Sequence, residues 1–171
     1  MGDYIKGKVK NTYPEFIQDG IRFHRFIDSY TDQHEIVRKH GRLMEPKIGH
    51  LSGVATDMLY DYVLAKNWND FHDEVFEVFV NKVYEEVLSY SEYFPRKFEF
   101  MFRYMRRDNW LGAYQTEEGM LRALNGLSQK IKFENDLPAC WPIFLEHEEQ
   151  ITKDYKVFLK DIQNEISQQF A

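Results

Sequence analysis

Apolar side chains return at three- and four-residue intervals through most of this 171-residue chain, and nowhere do they alternate with polar ones long enough to make a strand. A period of that kind leaves helices that each turn an apolar stripe inward. The fold class expected is therefore all-α, a single-domain bundle of about six to seven helices spanning residues 1–171. Large side chains are plentiful, with 14 Phe and 11 Tyr, so a chain of this length can bury roughly two-thirds of its unfolded surface and needs no staple.

Punctuation places the elements. Thr12-Tyr13-Pro14-Glu15 reads as a capping pattern that opens a helix running to about Tyr30. Thr31 and Asp32 read as the cap of a shorter helix ending near Leu43, with Pro46 and Gly49 marking a loop. A third helix is expected over 50–66. Over 70–90 the stripe Phe71, Val75, Phe79, Val83 and Val87 is expected to lie under the last helix, against Tyr155, Phe158, Leu159 and Ile162. Pro95 opens a basic helix, Thr116 caps a further one, and Pro138 and Pro142 precede a long terminal helix that reaches about Ile166.

Several classes of function are disfavoured at once. Charges interrupt every apolar run well short of the roughly 20 residues of a membrane span, so no membrane is expected. The lone Cys140 cannot pair within the chain, and no leader precedes the domain, so a cytoplasmic location is the expectation. A net charge of −6 argues against general nucleic-acid binding. Basic side chains nonetheless gather locally at Lys6, Lys8 and Lys10 and again at Arg96, Lys97, Arg103, Arg106 and Arg107, where an acidic partner would be received.

Two clusters carry potential chemistry. His24 and Asp28 share a helix face at i, i+4; imidazole and carboxylate suit a divalent ion, although pairs of this spacing are also common as surface ion pairs. Asp57 and Asp61 repeat the spacing with two like charges, which repel unless a metal or a cation such as Arg25 is shared between them. Asp3 is a further carboxylate close to the start. His72-Asp73 reads as a solvated helix start, His40, His50 and His147 have no partner at helical spacing, and Cys140 reads as a packed, unreactive thiol. No glycine-rich phosphate loop, nucleophile elbow or zinc-type cysteine pattern is present.

In order along the chain, these segments resemble the acyl carrier protein phosphodiesterase family, itself distantly similar to metal-dependent phosphohydrolases of the His-Asp type. The resemblance is carried by Gly2-Asp3-Tyr4-Ile5-Lys6-Gly7, by His24-Arg25-Phe26-Ile27-Asp28 with Thr31-Asp32, by Asp57-Met58-Leu59-Tyr60-Asp61-Tyr62 with Leu64 and Asn67-Trp68, by Asn109-Trp110-Leu111 with Tyr114, and by Leu124-Asn125-Gly126-Leu127-Ser128. It implies an all-helical hydrolase that removes 4′-phosphopantetheine from acyl carrier protein, with Mn²⁺ as cofactor. Metal positions implied are Asp3, His24, Asp28, Asp57 and Asp61. Asp28 and Asp61 are also implied in catalysis, and Arg25 in binding phosphate. Two features depart from the family pattern. The chain begins where a leader with an Asn-aromatic-Leu-Ala-His-like segment would end, and Tyr62 stands where the family generally shows histidine. The alternative reading is an impaired module that binds acyl carrier protein or another acidic partner without cleaving it. Either way a monomer or weak homodimer is expected.

Overall fold

The computed structural model describes residues 4, 5, 7, 8 and 13–170. Among them there is no strand, and the chain is built from helices α1 (Glu15–Gln33), α2 (Glu35–Ile48), α3 (Ser52–Lys66), α4 (Phe76–Ser89), α5 (Arg96–Arg107), the single turn α6 (Trp110–Ala113), α7 (Glu117–Ser128) and α8 (Cys140–Gln169). The all-α expectation holds.

α3 is the hub. Ala55, Leu59, Tyr60, Tyr62, Val63 and Ala65 are all buried, which spreads contact around most of its circumference. At 30 residues α8 is about 45 Å long. Its Phe144, Ile151, Tyr155, Phe158 and Ile162 join α2, α3 and α7 in the main core. A second core is separate: Val80 and Tyr84 of α4 pack on Phe98 and Phe102 of α5. A third, smaller one joins Ile5 to Ile17 and Ile21 of α1.

Three expectations from the sequence are corrected. Thr31 and Asp32 do not cap α2; they lie within α1, which ends only when His34 adopts an extended conformation (φ −68, ψ 134) and becomes the residue before α2. Pro46 does not begin a loop. It sits in the last turn of α2, where it forfeits one i→i−4 bond but leaves only two helical residues beyond it, and the stop comes at Gly49 with φ 60, a left-handed value that glycine takes without a Cβ clash. The stripe over 70–90 is displaced as well. Trp68–Asp70 forms a 3₁₀ turn, and the segment after it is fixed by the Trp68 indole N–H donating to the Glu74 carbonyl (2.6 Å) and by His72 Nδ1 accepting from Glu74 N–H (3.0 Å). α4 therefore starts at Phe76 and buries Val80 and Tyr84, leaving Val75 64% exposed, and its cover is α5; of the expected stripe only Phe71, ahead of α4, meets α8, edge-on to Tyr155 with ring centres 5.9 Å apart.

Other boundaries agree with the local chemistry. Pro95 precedes α5, and the Thr116 hydroxyl accepts from Gly119 N–H (3.1 Å) at the start of α7. Thr12 lies outside the described residues. No helix among the described residues is long and apolar enough to cross a membrane.

Candidate active-site cleft

Helical spacing now has a spatial consequence. Because α1 continues through Asp32, residues 24, 27, 28, 31 and 32 lie on one of its faces, and this face opposes the face of α3 that carries Asp57, Tyr60 and Asp61. Tyr155 and Phe158 of α8 complete a cleft of about 640 Å³. Four residues singled out from spacing, His24, Asp28, Asp57 and Asp61, thus line one space. Asp32, Tyr60 and Tyr155 join them. The misplaced end of α1 hid Asp32, whose i, i+4 relation to Asp28 becomes apparent only when the helix is extended.

Four of the ten lining residues are aspartates and none is lysine or arginine. The cleft would therefore repel a phosphate unless a cation came with it. Both α3 carboxylates feel this. Asp57 is pushed up to about 6, first by burial and then by Asp32 and Asp28; Asp61 is pushed up to about 7, first by burial and then by Asp57. Their side chains reach solvent through the mouth of the cleft, while the surrounding helices exclude much of the water around them. An arginine shared between them would have shifted both downward, so the neutralised-pair reading of Asp57 and Asp61 does not describe this site.

His24 Nδ1 lies 2.8 Å from Asp28 Oδ2, so these two engage each other. Arg25 is not among the lining residues. Its guanidinium donates to the Ile5 carbonyl (2.6 Å) and ties the segment preceding α1 to the helix that carries His24. Asp3 lies outside the described residues. Tyr62 is also away from the cleft, buried in the core edge-on to Trp141 and Phe144.

One set of polar residues behind the cleft was not legible as a site. Tyr60 O–H donates to His40 Nδ1 (2.8 Å), while His40 Nε2–H donates to Asp154 Oδ2 (3.1 Å), a tautomer set by the carboxylate, which accepts only. Lys39 Nζ also reaches Asp154 (2.7 Å). His40 is 1% exposed, and burial pushes its pKa down, so the neutral ring anchors Tyr60 from the interior. Nothing in the spacing of His40 marked it, because its partners come from α3 and α8. Cys140 is fully buried and its thiol is pushed up to about 12 by that burial, as expected of a packed cysteine. His72 stacks on Trp68 with ring centres 5.1 Å apart, outside the cleft.

As a donor set, imidazole and carboxylates suit a divalent ion, and the uncompensated negative charge asks for one. Among the described residues, no three His, Cys, Asp or Glu side chains converge closely enough to hold it in this conformation.

Known proteins agree with the resemblance noted from the motifs. The family model described as acyl carrier protein phosphodiesterase matches residues 1–162. The acyl carrier protein phosphodiesterase of Klebsiella pneumoniae is 25% identical over 152 residues, covering 88% of this chain and 79% of its own. That of Photorhabdus laumondii is 24% identical over 131 residues, covering 76% of this chain and 66% of its own. No solved structure matches the chain. The family match extends from the amino-terminal segment through both cleft-forming helices and most of α8, and the chain belongs to the acyl carrier protein phosphodiesterase family.

Proposed function

We propose that this protein hydrolyses the phosphodiester between 4′-phosphopantetheine and the serine of acyl carrier protein, using a divalent metal, Mn²⁺ first among candidates. The observation that carries the metal reading is a cleft with four aspartates, one histidine and no lysine or arginine in a chain of this family. His24, Asp28, Asp57 and Asp61, with Asp3, are the residues that would hold the ion. Bound there, it supplies Lewis acidity toward a phosphoryl oxygen and acidifies a water.

The residues have their own work. Asp28 holds the His24 imidazole through the 2.8 Å contact. Asp61, pushed up to about 7 by burial and by Asp57 in the metal-free cleft, would give up its proton on holding the ion, so the departing serine oxygen takes its proton from water. Water oxygen bonds to phosphorus, the bond from phosphorus to the serine oxygen breaks, and that oxygen takes a proton. The products are the carrier with free serine and 4′-phosphopantetheine.

An acidic carrier needs local positive charge. Arg96, Lys97, Arg103, Arg106 and Arg107 are all exposed on α5, where a groove of about 680 Å³ also holds the 66% exposed Phe100. Phe98 of α5 meets Tyr4 at 5.6 Å, and the neighbouring Ile5 is bonded to Arg25 of α1, so Tyr4 and Ile5 link the basic helix to the helix that bears His24. Lys6 and Lys10 lie outside the described residues.

Incubation with holo-acyl carrier protein and Mn²⁺, followed by mass spectrometry of the carrier, tests the reading. Loss of the phosphopantetheine mass is expected; an unchanged carrier at stoichiometric protein would overturn it. The second reading, binding without cleavage, is favoured by the lack of three converged ligands among the described residues. It predicts a metal-independent complex with an intact carrier.

A further inference from the structure

A second cavity, also about 640 Å³, opens beside the cleft and is formed by α6, α7 and Met58 of α3. Its volume falls within the range of roughly 300–1,000 Å³ usual for small-molecule sites. Met58 lies on α3 between the two cleft aspartates in sequence, so one helix serves both spaces. Tyr114 lines the cavity as well, and Met58 stands three residues before Asp61 on α3, one turn away along the same helix.

The walls differ in character from those of the cleft. Trp110, Ala113, Tyr114, Met58 and Leu127 supply apolar and aromatic surface, and the charged groups Asp108, Arg122 and Lys130 complete the lining, with Lys130 Nζ 5.3 Å from the Trp110 ring centre. α7 presents Gly119, Ala123 and Gly126 along the same face. The two glycines serve different ends. A Cβ at Gly119 would meet the Ala113 carbonyl oxygen at 1.9 Å, so that glycine lets α6 and α7 approach; a Cβ at Gly126 would meet nothing within 4 Å and would project into open space.

We propose that this cavity binds the pantetheine arm of the substrate, a chain of two amides ending in a thiol, while the phosphodiester at its other end lies in the aspartate cleft. The proposal rests on the phosphodiesterase reading above. A phosphodiester in the cleft has the carrier on one side and a flexible, uncharged arm on the other. An arm of that chemistry fits an apolar channel with a few polar groups better than it fits the aspartates. This also gives a use to Trp110, Tyr114, Gly126 and Leu127, residues of the later motifs that the hydrolytic cleft leaves unexplained.

The test uses the whole protein, free pantetheine as probe, and Gly126→Leu as the variant that fills the space. Trp68 and Trp141 are buried and Trp110 lines the cavity, so pantetheine should produce a saturable change in tryptophan fluorescence that Trp110→Phe abolishes. Leucine favours helix over glycine, so the filled variant should fold, and Gly126→Ala controls for helix propensity. Gly126→Leu should weaken pantetheine binding at least about tenfold. Its loss of kcat/KM on holo-carrier should exceed its loss on bis(p-nitrophenyl) phosphate, which has no arm, by a similar factor. No saturable change with wild type at about 10 mM pantetheine, or binding to the filled variant within about twofold of wild type, overturns the assignment. If pantetheine binds in a Gly126-dependent way but holo-carrier is never cleaved, the hydrolytic reading fails and the cavity assignment stands.

Discussion

Asp57 and Asp61 hold protons at pH values where free aspartates have released them, because burial and neighbouring carboxylates disfavour their charged forms. The folded state then binds more protons than the unfolded chain, so this stability is fully present below about pH 4 and is lost as pH rises through about 6 and then 7. Asp61→Asn should raise metal-free stability near pH 7.5 by about 1 kcal/mol, discounted because solvent reaches the carboxylate, and should flatten the fall from about pH 5 to 8 in urea melts. The same variant should lose any Mn²⁺-dependent rise in melting temperature, since one ligand charge is gone. Equal Mn²⁺ stabilisation of wild type and variant would remove Asp61 from the metal site. His40 behaves in the opposite sense: its depressed pKa gives stability that is present above about 6.5 and lost as pH falls through the lower folded value. His40→Ala should cost roughly 2–3 kcal/mol at neutral pH, because the Tyr60 hydroxyl and the Asp154 carboxylate both lose a buried partner. A cost within about 0.5 kcal/mol would show that water replaces the ring. The i, i+4 pairs were legible at this scale; the Tyr60–His40–Asp154 chain, whose His and Asp stand 114 positions apart, was not.

α5 separates packing from charge within one element. Phe98 and Phe102 face α4, whereas Arg103 and Arg106 are exposed. Phe102→Ala should destabilise by about 3–4 kcal/mol in chemical denaturation. The pair Arg103→Glu and Arg106→Glu should change stability by less than about 1 kcal/mol yet raise KM for holo-carrier roughly tenfold and flatten its salt dependence. Unchanged KM would move carrier docking off α5. Periodicity predicted that α5 and α4 exist and that both are amphipathic. It misassigned α4's buried stripe by a residue and its cover by an entire helix. The 3₁₀ turn at Trp68–Asp70 and the bonds around Glu74 delay the helix start, and a period of 3.6 records a face without recording what lies opposite.

Across the whole molecule, separate cores imply unequal local stability. The α4–α5 core is joined to the rest through contacts such as the Tyr84 hydroxyl accepting from Leu111 N–H (2.9 Å), while α8 runs along α2 and α3 through the main core. Hydrogen exchange should therefore show α5 amides opening well below the global unfolding free energy, with the α8 amides from Phe144 to Phe158 tracking it. Uniform protection across α5 and α8 would mean that the two cores unfold together. The sequence by itself determined the helical class, the apolar stripes, the caps at Pro95 and Thr116, and the pairing of His24 with Asp28 and of Asp57 with Asp61, since each depends on spacing within one helix. Tertiary structure alone decided that these pairs face each other, that Asp32 and Tyr60 join them, that Arg25 is bonded to Ile5, and that Met58 opens onto a second cavity. Those outcomes depend on how helices far apart in sequence cross, which is set by the shapes of packed side chains rather than by the repeat within any one helix.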